Sequence, residues 1–363
     1  NHGSYGACPI PVFEDYQNWQ KKLENQPVQF MTNYLWESLK KSREHLAEYI
    51  NCSSSDILLF PNSTTAINNL INNLSLMEGD EVLMTQHEYG ALVRAWDYAS
   101  KMKKFKVVQK GIDMPLDSKQ DFIDQFLSGV NSKTKVIFMS HITSQTALIF
   151  PVKEICQYAK KSGITTIVDG AHVPGHIKLD IEDIDCDYYT GACHKWLCAP
   201  KGTSFLFVRE NLQKNMIPQT VSWGEKGDDP GPSQFLMNFQ WQGTRDMSAF
   251  LSIPAAIKFV KNDHWKNRQV LSREIISEVS EQLQLLLKTD PISVGEEWIG
   301  QMVSHPLPKN VSPNLKDILW QDHSIEVPIF EWKDEKYIRV SIHGYNDRSD
   351  IKKLINVLDK QLL

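Results

Sequence analysis

The chain has 363 residues, 41% of them hydrophobic and 23% charged, with a formal net charge of −5. This composition is typical of a globular protein and excludes a disordered or fibrous one. Because the charge is acidic and no basic patch is visible, we expect no nucleic-acid partner. No apolar run approaches the roughly 18 residues of a membrane span, so we expect no membrane association. The length predicts two domains.

Six cysteines are spread along the chain, too sparsely for a disulfide scaffold. Cys193 and Cys198 flank His194, but no second pair follows at zinc-finger spacing. We therefore expect no metal site. Free thiols are typical of a reducing compartment, which predicts a cytoplasmic protein.

Strands and helices alternate through the first two thirds of the chain. Residues 13–51 carry apolar side chains at helical spacing and predict helix. Beyond them, short apolar runs rich in β-formers alternate with amphipathic segments. The predicted strands are 57–60, 81–85, 105–109, 136–140, 164–169, 188–191 and 204–208, and the predicted helices are 65–76, 91–103, 119–127 and 152–161.

Near-continuous apolar strands separated by helices are typical of a mainly parallel sheet that is covered on both faces. The fold class we predict is therefore α/β, with a three-layer large domain and a smaller C-terminal α+β domain. Residues 210–250 are rich in Gly, Pro and Trp and show no clear period. The C-terminal part predicts a helix-rich segment at 254–289, strands at 324–332 and 337–343, and a terminal helix at 347–362. We divide the chain into an N-terminal arm (1–15), a large domain (16–253) and a small domain (254–363), and we leave open that part of the N-terminal segment packs with the small domain.

Asp169 and Lys195 carry the strongest chemical signal. Asp169 ends one apolar strand, and Lys195 follows the next strand after a short turn. Ligands of parallel sheets bind beyond the carboxyl ends of the strands, which is where both residues fall. A pyridoxal phosphate enzyme needs such a pair: the lysine holds the cofactor as a Schiff base, and the acid pairs with the pyridinium nitrogen and keeps the ring an electron sink.

Further motifs resemble one family along nearly the whole chain. The chain is similar to the class V aminotransferase superfamily of fold-type-I pyridoxal phosphate enzymes, which includes the cysteine desulfurases, and most of all to its isopenicillin N epimerase-like branch. This resemblance implies pyridoxal 5′-phosphate as the cofactor. The segments that carry the resemblance are 1–9, 62–68, 87–91, 169–172, 194–196, 241–246 and 339–346.

The cofactor phosphate has four candidate contacts, two of which lie at the start of a predicted helix. Ser63 and Thr64 lie between a predicted strand and a predicted helix, where free N–H groups and hydroxyls form an anion site or, in the simpler interpretation, a helix cap. The resemblance assigns both residues, and also His194, to the phosphate. It further implies that Thr244 reaches the phosphate from a neighbouring subunit. The active site would then require a homodimer.

Tyr89 and His87 follow a predicted strand, in the region where the superfamily places a ring over the cofactor face. We favour Tyr89 slightly, and either side chain is suited to exchange a proton at the substrate. His172 matches a position beside the cofactor's phenolic oxygen. Arg339 lies in a predicted strand, and the resemblance implies that its guanidinium binds the substrate α-carboxylate through two hydrogen bonds. Substrate selection is expected from the arm, with His2 and Tyr5, and from 218–242 and 325–330.

Two departures from the desulfurases bear on the reaction. Position 324, where that subgroup carries a nucleophilic Cys, is Ser324. A hydroxyl replaces a thiolate poorly in attack on sulfur, which disfavours desulfuration through a persulfide. Ser144 stands where desulfurases often carry Asn, so that either Gln145 compensates or the phenolic oxygen depends on His172 alone.

The leading hypothesis is cleavage of a Cα–H bond in an amino acid or in an amino-acid residue of a larger substrate, with Lys195 as the base. Proton return on the opposite face gives epimerisation, which we place first. Loss of a leaving group gives a C–S lyase, and proton return at the cofactor gives transamination. Cysteine desulfuration comes last among the enzymes. A non-catalytic module of this fold predicts loss of the cofactor residues, whereas Asp169, His194, Lys195 and Arg339 are all present.

Overall fold

The computed structural model describes residues 1–226 and 233–362. Within them, no helix is long and apolar enough to cross a membrane. The helices are α1 (His2–Tyr5), α2 (Ile10–Asn25), α3 (Pro27–Gln29), α4 (Leu35–Ile50), α5 (Ser63–Asn73), α6 (Gly90–Lys103), α7 (Lys119–Leu127), α8 (Val152–Lys161), α9 (Ile181–Ile184), α10 (Gln234–Gln240), α11 (Ser248–Leu251), α12 (Ile253–Lys261), α13 (Asp263–Leu287), α14 (Leu315–Gln321) and α15 (Arg348–Lys360). The strands are β1 (Ile57–Phe60), β2 (Glu81–Thr85), β3 (Lys106–Lys110), β4 (Thr134–Ser140), β5 (Thr165–Asp169), β6 (Tyr188–Ala192), β7 (Ser204–Val208), β8 (Met302–Pro306), β9 (Ile329–Trp332) and β10 (Glu335–Ser341).

Seven strands form the large sheet, in the order β1-β7-β6-β5-β4-β2-β3. All but one of them run parallel; β7 is antiparallel to both of its neighbours. Helices cover both faces, because alternate residues of each strand belong to different cores. Ile137 and Met139 of β4 pack in the core that includes α4, α7, α8 and α12, whereas Val136 and Phe138 pack in the core that includes α5, α6 and α10. The predicted three-layer, mainly parallel α/β fold is confirmed.

A second, antiparallel sheet has the order β8-β10-β9 and packs with α13, α14 and α15 around a separate core. This is the predicted small α+β unit. The division at 253/254 stays a proposal: Ile253 and Ala256 of α12, on both sides of it, belong to the core of the large sheet. The separate core takes its first buried residue from α13 at Ile275.

The structure corrects three details of the predicted elements. The helical segment 13–51 is interrupted, because Gln26 precedes Pro27 and leaves the helical conformation with φ −147°. The strand expected at 324–332 begins only at Ile329; before it, Ser324 adopts a positive φ of 55° and turns the chain. Strand β8 was not predicted, because it carries buried polar side chains such as His305.

Candidate active site

A cavity of about 380 Å³ opens at the carboxyl ends of the parallel strands. Its walls include residues that end or follow β1, β2, β4, β5 and β6. The sequence predicts the ligand site at the carboxyl ends of the strands, and most of the predicted site residues lie together there. Those that line the cavity are Tyr5, Ser63, Thr64, Tyr89, Asp169, His172, His194 and Lys195.

Lys195 lies in the turn that follows β6, and its Nζ is 3.1 Å from Nε2 of His172. Burial lowers the pKa of this amine to about 8, with the carboxylate of Asp169 opposing the shift and the charge of Arg339 adding to it. A lysine with such a pKa carries a much larger neutral fraction near neutral pH than an exposed one. The neutral amine is the form that acts as nucleophile and base.

Asp169 ends β5 and is 4% exposed. Among the residues that the structure describes, its hydrogen-bond donor is the backbone N–H of Ala171, 3.0 Å from Oδ1. Burial raises the pKa of the carboxyl, and the nearby charge of Lys195 lowers it. A buried carboxylate with a single donor lacks the partner that would offset its desolvation. A protonated ring nitrogen supplies that partner, so this acid fits the pyridine ring of pyridoxal phosphate.

The N-terminus of α5 forms an anion cradle in the cavity wall. The side chain of Asn62 caps the helix by accepting from the N–H of Thr65 at 2.8 Å. No hydrogen bond within the described parts of the chain engages the N–H groups of Ser63 and Thr64. Two free donors at the positive end of a helix dipole suit a phosphate. The residue that caps the helix is therefore Asn62, and the N–H groups of Ser63 and Thr64 remain free to bind an anion.

His194 also lines the cavity, in the turn that follows β6 and directly before Lys195. Its Nδ1 donates to the carbonyl of Thr203 at 2.7 Å, which fixes the ring and leaves Nε2 as the nitrogen for a ligand. Burial lowers the pKa of His194 to about 4, whereas the charge of a bound phosphate would raise it and favour the imidazolium, in which Nε2 is a donor as well. These residues together match the donor set that a phosphate-bearing pyridine ring needs.

Tyr89 and His87 have different positions. Tyr89 is the residue before α6, lines the cavity and is 43% exposed. His87 is fully buried behind the wall, with Nδ1 3.0 Å from Oγ1 of Thr146 and its ring 4.6 Å from the ring of Trp332. Of the two side chains predicted for the cofactor face, only Tyr89 has access to the cavity.

Arg339 reaches the edge of the cavity from the small sheet. It lies in β10, is 5% exposed, and donates to the carbonyl of Ser144 and, at 3.0 Å, to Oγ of Ser4. Both of these partners line the cavity, although Arg339 itself does not. Within the described ranges it has no acidic partner, and burial lowers its pKa to about 10. A buried guanidinium without a carboxylate is suited to receive one from a substrate.

The N-terminal arm closes one side of the site. Tyr5 lines the cavity and is largely exposed, whereas His2 is buried outside it. The His2 ring stacks on that of His343 at a centroid distance of 3.5 Å, and its Nε2 donates to the carbonyl of Lys195 at 3.1 Å. His2 therefore supports the backbone of the lysine and has no direct access to a substrate in the cavity.

One buried acid was not identified from the sequence. Glu88 is 2% exposed and accepts from the hydroxyl of Thr85 at 2.6 Å and from the hydroxyl and N–H of Ser140 at 2.6 and 2.8 Å. Burial raises its pKa to about 7, and the nearby charge of Asp169 adds to the shift. Because Ser140 lines the cavity, Glu88 supports the wall from behind. The one feature of the sequence that could have drawn attention to Glu88 is its position between His87 and Tyr89, the two residues predicted for the cofactor face.

Other predicted residues lie away from the cavity of the single chain. Thr244 is exposed and does not line it, and Ser324 is exposed beyond the end of α14. Of the segment 218–242, residues 227–232 lie outside the described ranges. None of the six cysteines lines the cavity.

Gly6 gives a testable contact between the arm and the lysine turn. Its φ is +72°, and a Cβ there would lie 2.2 Å from the carbonyl oxygen of His194. We expect Gly6→Ala to displace the arm, lower the melting temperature and raise KM for substrate. Gly79→Ala is the matched control, because Gly79 has a φ of +92° with open space around it and should cost only about 1–2 kcal/mol of backbone strain. Equal effects of the two substitutions on KM would contradict this role of the arm.

Comparisons with known proteins show the family of the chain. Residues 8–354 match the family Aminotransferase class-V. The chain is 30% identical to an isopenicillin N epimerase of Amycolatopsis lactamdurans, over 99% of this chain and 93% of the relative. It is 27% identical to an L-cysteine desulfhydrase of Arabidopsis thaliana, over 98% of this chain and 85% of the relative. The structure of the cystine C–S lyase C-DES superposes with a TM-score of 0.85 at 20% identity, over 99% of this chain and 97% of the other.

The match extends over far more than half of the chain and includes both sheets. It agrees with the resemblance stated from the sequence, including the epimerase-like branch, and it confirms the predicted cofactor, pyridoxal 5′-phosphate. The residues at the cavity fit that cofactor on chemical grounds, at its ring nitrogen, its phosphate and its aldehyde. The chain belongs to the class-V aminotransferase family of pyridoxal phosphate enzymes.

Proposed function

We infer that the protein epimerises an amino acid, or an amino-acid residue with a free amine in a larger substrate, by moving the proton on its α-carbon. The observation that carries this proposal is the Lys195 amine, whose pKa burial lowers to about 8 and which shares one cavity with the carboxylate of Asp169 and the ring of Tyr89. The similarity to an isopenicillin N epimerase supports the choice among reactions.

Each residue has a defined task in this proposal. The bound cofactor supplies the electron sink that weakens the Cα–H bond. Asp169 holds the ring nitrogen in its protonated form, because a buried carboxylate stabilises the opposite charge. Arg339 holds the substrate carboxylate, and Lys195 in its neutral form removes the α-proton. Tyr89, the exposed hydroxyl of the wall, returns a proton from the opposite face.

Elimination of a sulfur leaving group is the second candidate. It uses the same first step, and the similarity to an L-cysteine desulfhydrase supports it. A lyase releases sulfur without a protein thiol, whereas a persulfide-forming desulfurase needs one near the substrate. Because no cysteine lines the cavity and Ser324 lies outside it, the proposal ranks desulfuration below the lyase.

The proposal includes a homodimer. In the single chain, Thr244 is exposed and does not line the cavity, while Gly243 beside it has a φ of +105° and would place a Cβ in open space. A second copy that places this segment against the phosphate cradle of its partner would give Thr244 the role implied by the sequence resemblance. The remaining proposals are a cytoplasmic location and, after the lyase, transamination as a third reaction.

Incubation in deuterated water tests the reaction directly. Free L-amino acids, with cysteine and cystine among them, and peptides with a free N-terminal amine are incubated with the holoenzyme. We expect deuterium at the α-carbon together with inversion of its configuration, as read by mass spectrometry and chiral chromatography. A 2-oxo acid with ammonia and sulfide instead indicates the lyase. Deuterium exchange that Lys195→Ala does not abolish would contradict both candidates.

A further inference from the structure

Three aromatic and basic side chains lie in a row that ends at the cavity. The indole N–H of Trp196 donates to Nδ1 of His172 at 3.3 Å. On the other side of the ring, Nε2 of His172 is 3.1 Å from Nζ of Lys195. Trp196 is fully buried and His172 is 2% exposed, so bulk water does not substitute for either contact. The chain order places Trp196 directly after the lysine that it reaches through the imidazole.

The chemistry of the three groups fixes the hydrogens. A neutral imidazole has one N–H and one lone pair, and an indole is a donor only. Because Trp196 donates to Nδ1, the lone pair of His172 is on Nδ1 and its hydrogen is on Nε2. An ammonium group has donors and no lone pair, so it has no favourable contact with an Nε2–H. Only the neutral amine of Lys195 accepts from this tautomer.

We propose that Trp196 is a positioning residue that holds His172 in its Nε2–H tautomer, and that His172 in this form donates to the neutral amine of Lys195. The inference rests on the proposed function in one respect, namely that Lys195 is the lysine that bonds the cofactor. It adds a device that keeps this amine in the form that reacts with an aldehyde. A neutral donor at Nε2 is also what an ionised phenolic oxygen requires beside it.

The charges around the pair are compatible with this arrangement. His172 is neutral, because burial holds its pKa well below the usual range; the charge that Lys195 carries when protonated and the charge of Arg339 act in the same direction. Burial also lowers the pKa of Lys195, Arg339 adds to the effect and Asp169 opposes it. The groups whose charges face the pair are Asp169, Arg339, His176 and His194. Of these groups, only Asp169 favours the protonated form of Lys195, and the hydrogen bond from Nε2–H of His172 favours the neutral form.

The test measures the pKa of Lys195 in the whole 363-residue chain stripped of cofactor, in which the amine is free to titrate and to be acetylated. Acetic anhydride acetylates only neutral amines, and mass spectrometry reads the rate at each lysine as a function of pH. In Trp196→Phe the imidazole is free to place its lone pair on Nε2 and to accept from an ammonium. We expect the pKa of Lys195 to rise by about one pH unit, the amount that one neutral hydrogen bond is worth. At pH values below the parent pKa, Lys195 of Trp196→Phe should therefore be acetylated about tenfold more slowly than Lys195 of the parent protein.

Controls separate this device from packing. Trp298→Phe is the matched substitution, because Trp298 is also fully buried and its indole N–H has no partner within the described chain. It should leave the pKa of Lys195 at the parent value. In a His172→Leu background, Trp196→Phe should cause no further shift, since there is no imidazole to hold. A parent pKa in Trp196→Phe, or an equal shift in the His172→Leu background, would overturn the proposal.

A second pair of variants serves if Trp196→Phe does not fold. In His172→Gln, the amide oxygen accepts from Trp196 and the amide N–H faces Lys195, so the pKa should stay near the parent value. His172→Leu lacks the donor and should raise it. Identical pKa values in these two variants would contradict the proposal. The acetylation readout does not depend on turnover, so its failure is distinguishable from a failure of the proposed reaction.

Discussion

Lys195→Ala is expected to remove covalent attachment of the cofactor and to lower turnover by at least about 10²–10⁴-fold, the range that a positioned acid–base group contributes. The reason is that the amine of Lys195 is close to the acid and the phosphate cradle in one cavity. Its pKa of about 8 provides the neutral form near physiological pH. Absorbance near the edge of the visible range measures the attachment, and α-deuterium exchange measures the proton transfer.

Lys201→Ala is the control for that result. Lys201 lies six residues further along the same turn, is exposed, and does not line the cavity. Its removal should leave the absorbance band and the exchange rate unchanged. An unchanged band in Lys195→Ala, or equal loss of exchange in the two variants, would contradict the assignment of the cofactor lysine.

Arg339→Ala is expected to weaken amino-acid binding by about 10- to 150-fold. A hydrogen bond to a charged group contributes about 1.5–3 kcal/mol, and each 1.4 kcal/mol corresponds to a factor of ten in affinity. The guanidinium is buried and has no acidic partner within the described chain. Its removal therefore takes away the donors for the substrate carboxylate without leaving a carboxylate of the protein unpaired. Titration of the bound cofactor's absorbance with glycine and L-cysteine measures the affinity.

Arg339→Lys separates charge from geometry. A lysine keeps the positive charge and loses the planar fork that binds a carboxylate through two parallel hydrogen bonds. Its affinity should therefore lie between that of the parent and that of Arg339→Ala. Cofactor content should stay at the parent level in both variants, because the cofactor is assigned to other residues, among them Asp169 and Lys195. Parent-like affinity in Arg339→Ala would show that the substrate carboxylate binds elsewhere.

The sequence predicts the sheet and the positions of Asp169 and Lys195 at its edge, because both depend on short-range patterns. Asp169 comes at the end of a continuous apolar strand, and strand order then places it beside β6 and the turn with Lys195. Ser63 and Thr64 follow β1 at the start of a helix, which is also a local signal. The small sheet is harder to predict from such patterns, because its strand β8 buries Ser304 and His305 and so lacks a continuous apolar run.

The rest of the site depends on contacts between distant residues. His2 is a polar residue near the start of the chain, and only its stacking on His343, in the last strand-to-helix connection, explains why it is buried. His87 and Tyr89 are separated by one residue, and the turn before α6 sends one ring into the wall and the other to the cavity. Glu88 gains its role from Ser140, whose strand lies beside β2.

The most direct test of the whole account is to find the lysine that holds the cofactor. Borohydride treatment of the holoenzyme fixes the cofactor irreversibly to that lysine, and peptide mass spectrometry then locates it. We expect the added mass on the peptide that contains Lys195 and on no other lysine. The result that would contradict the account is an unmodified Lys195 in protein that has retained its cofactor, or the added mass on another lysine.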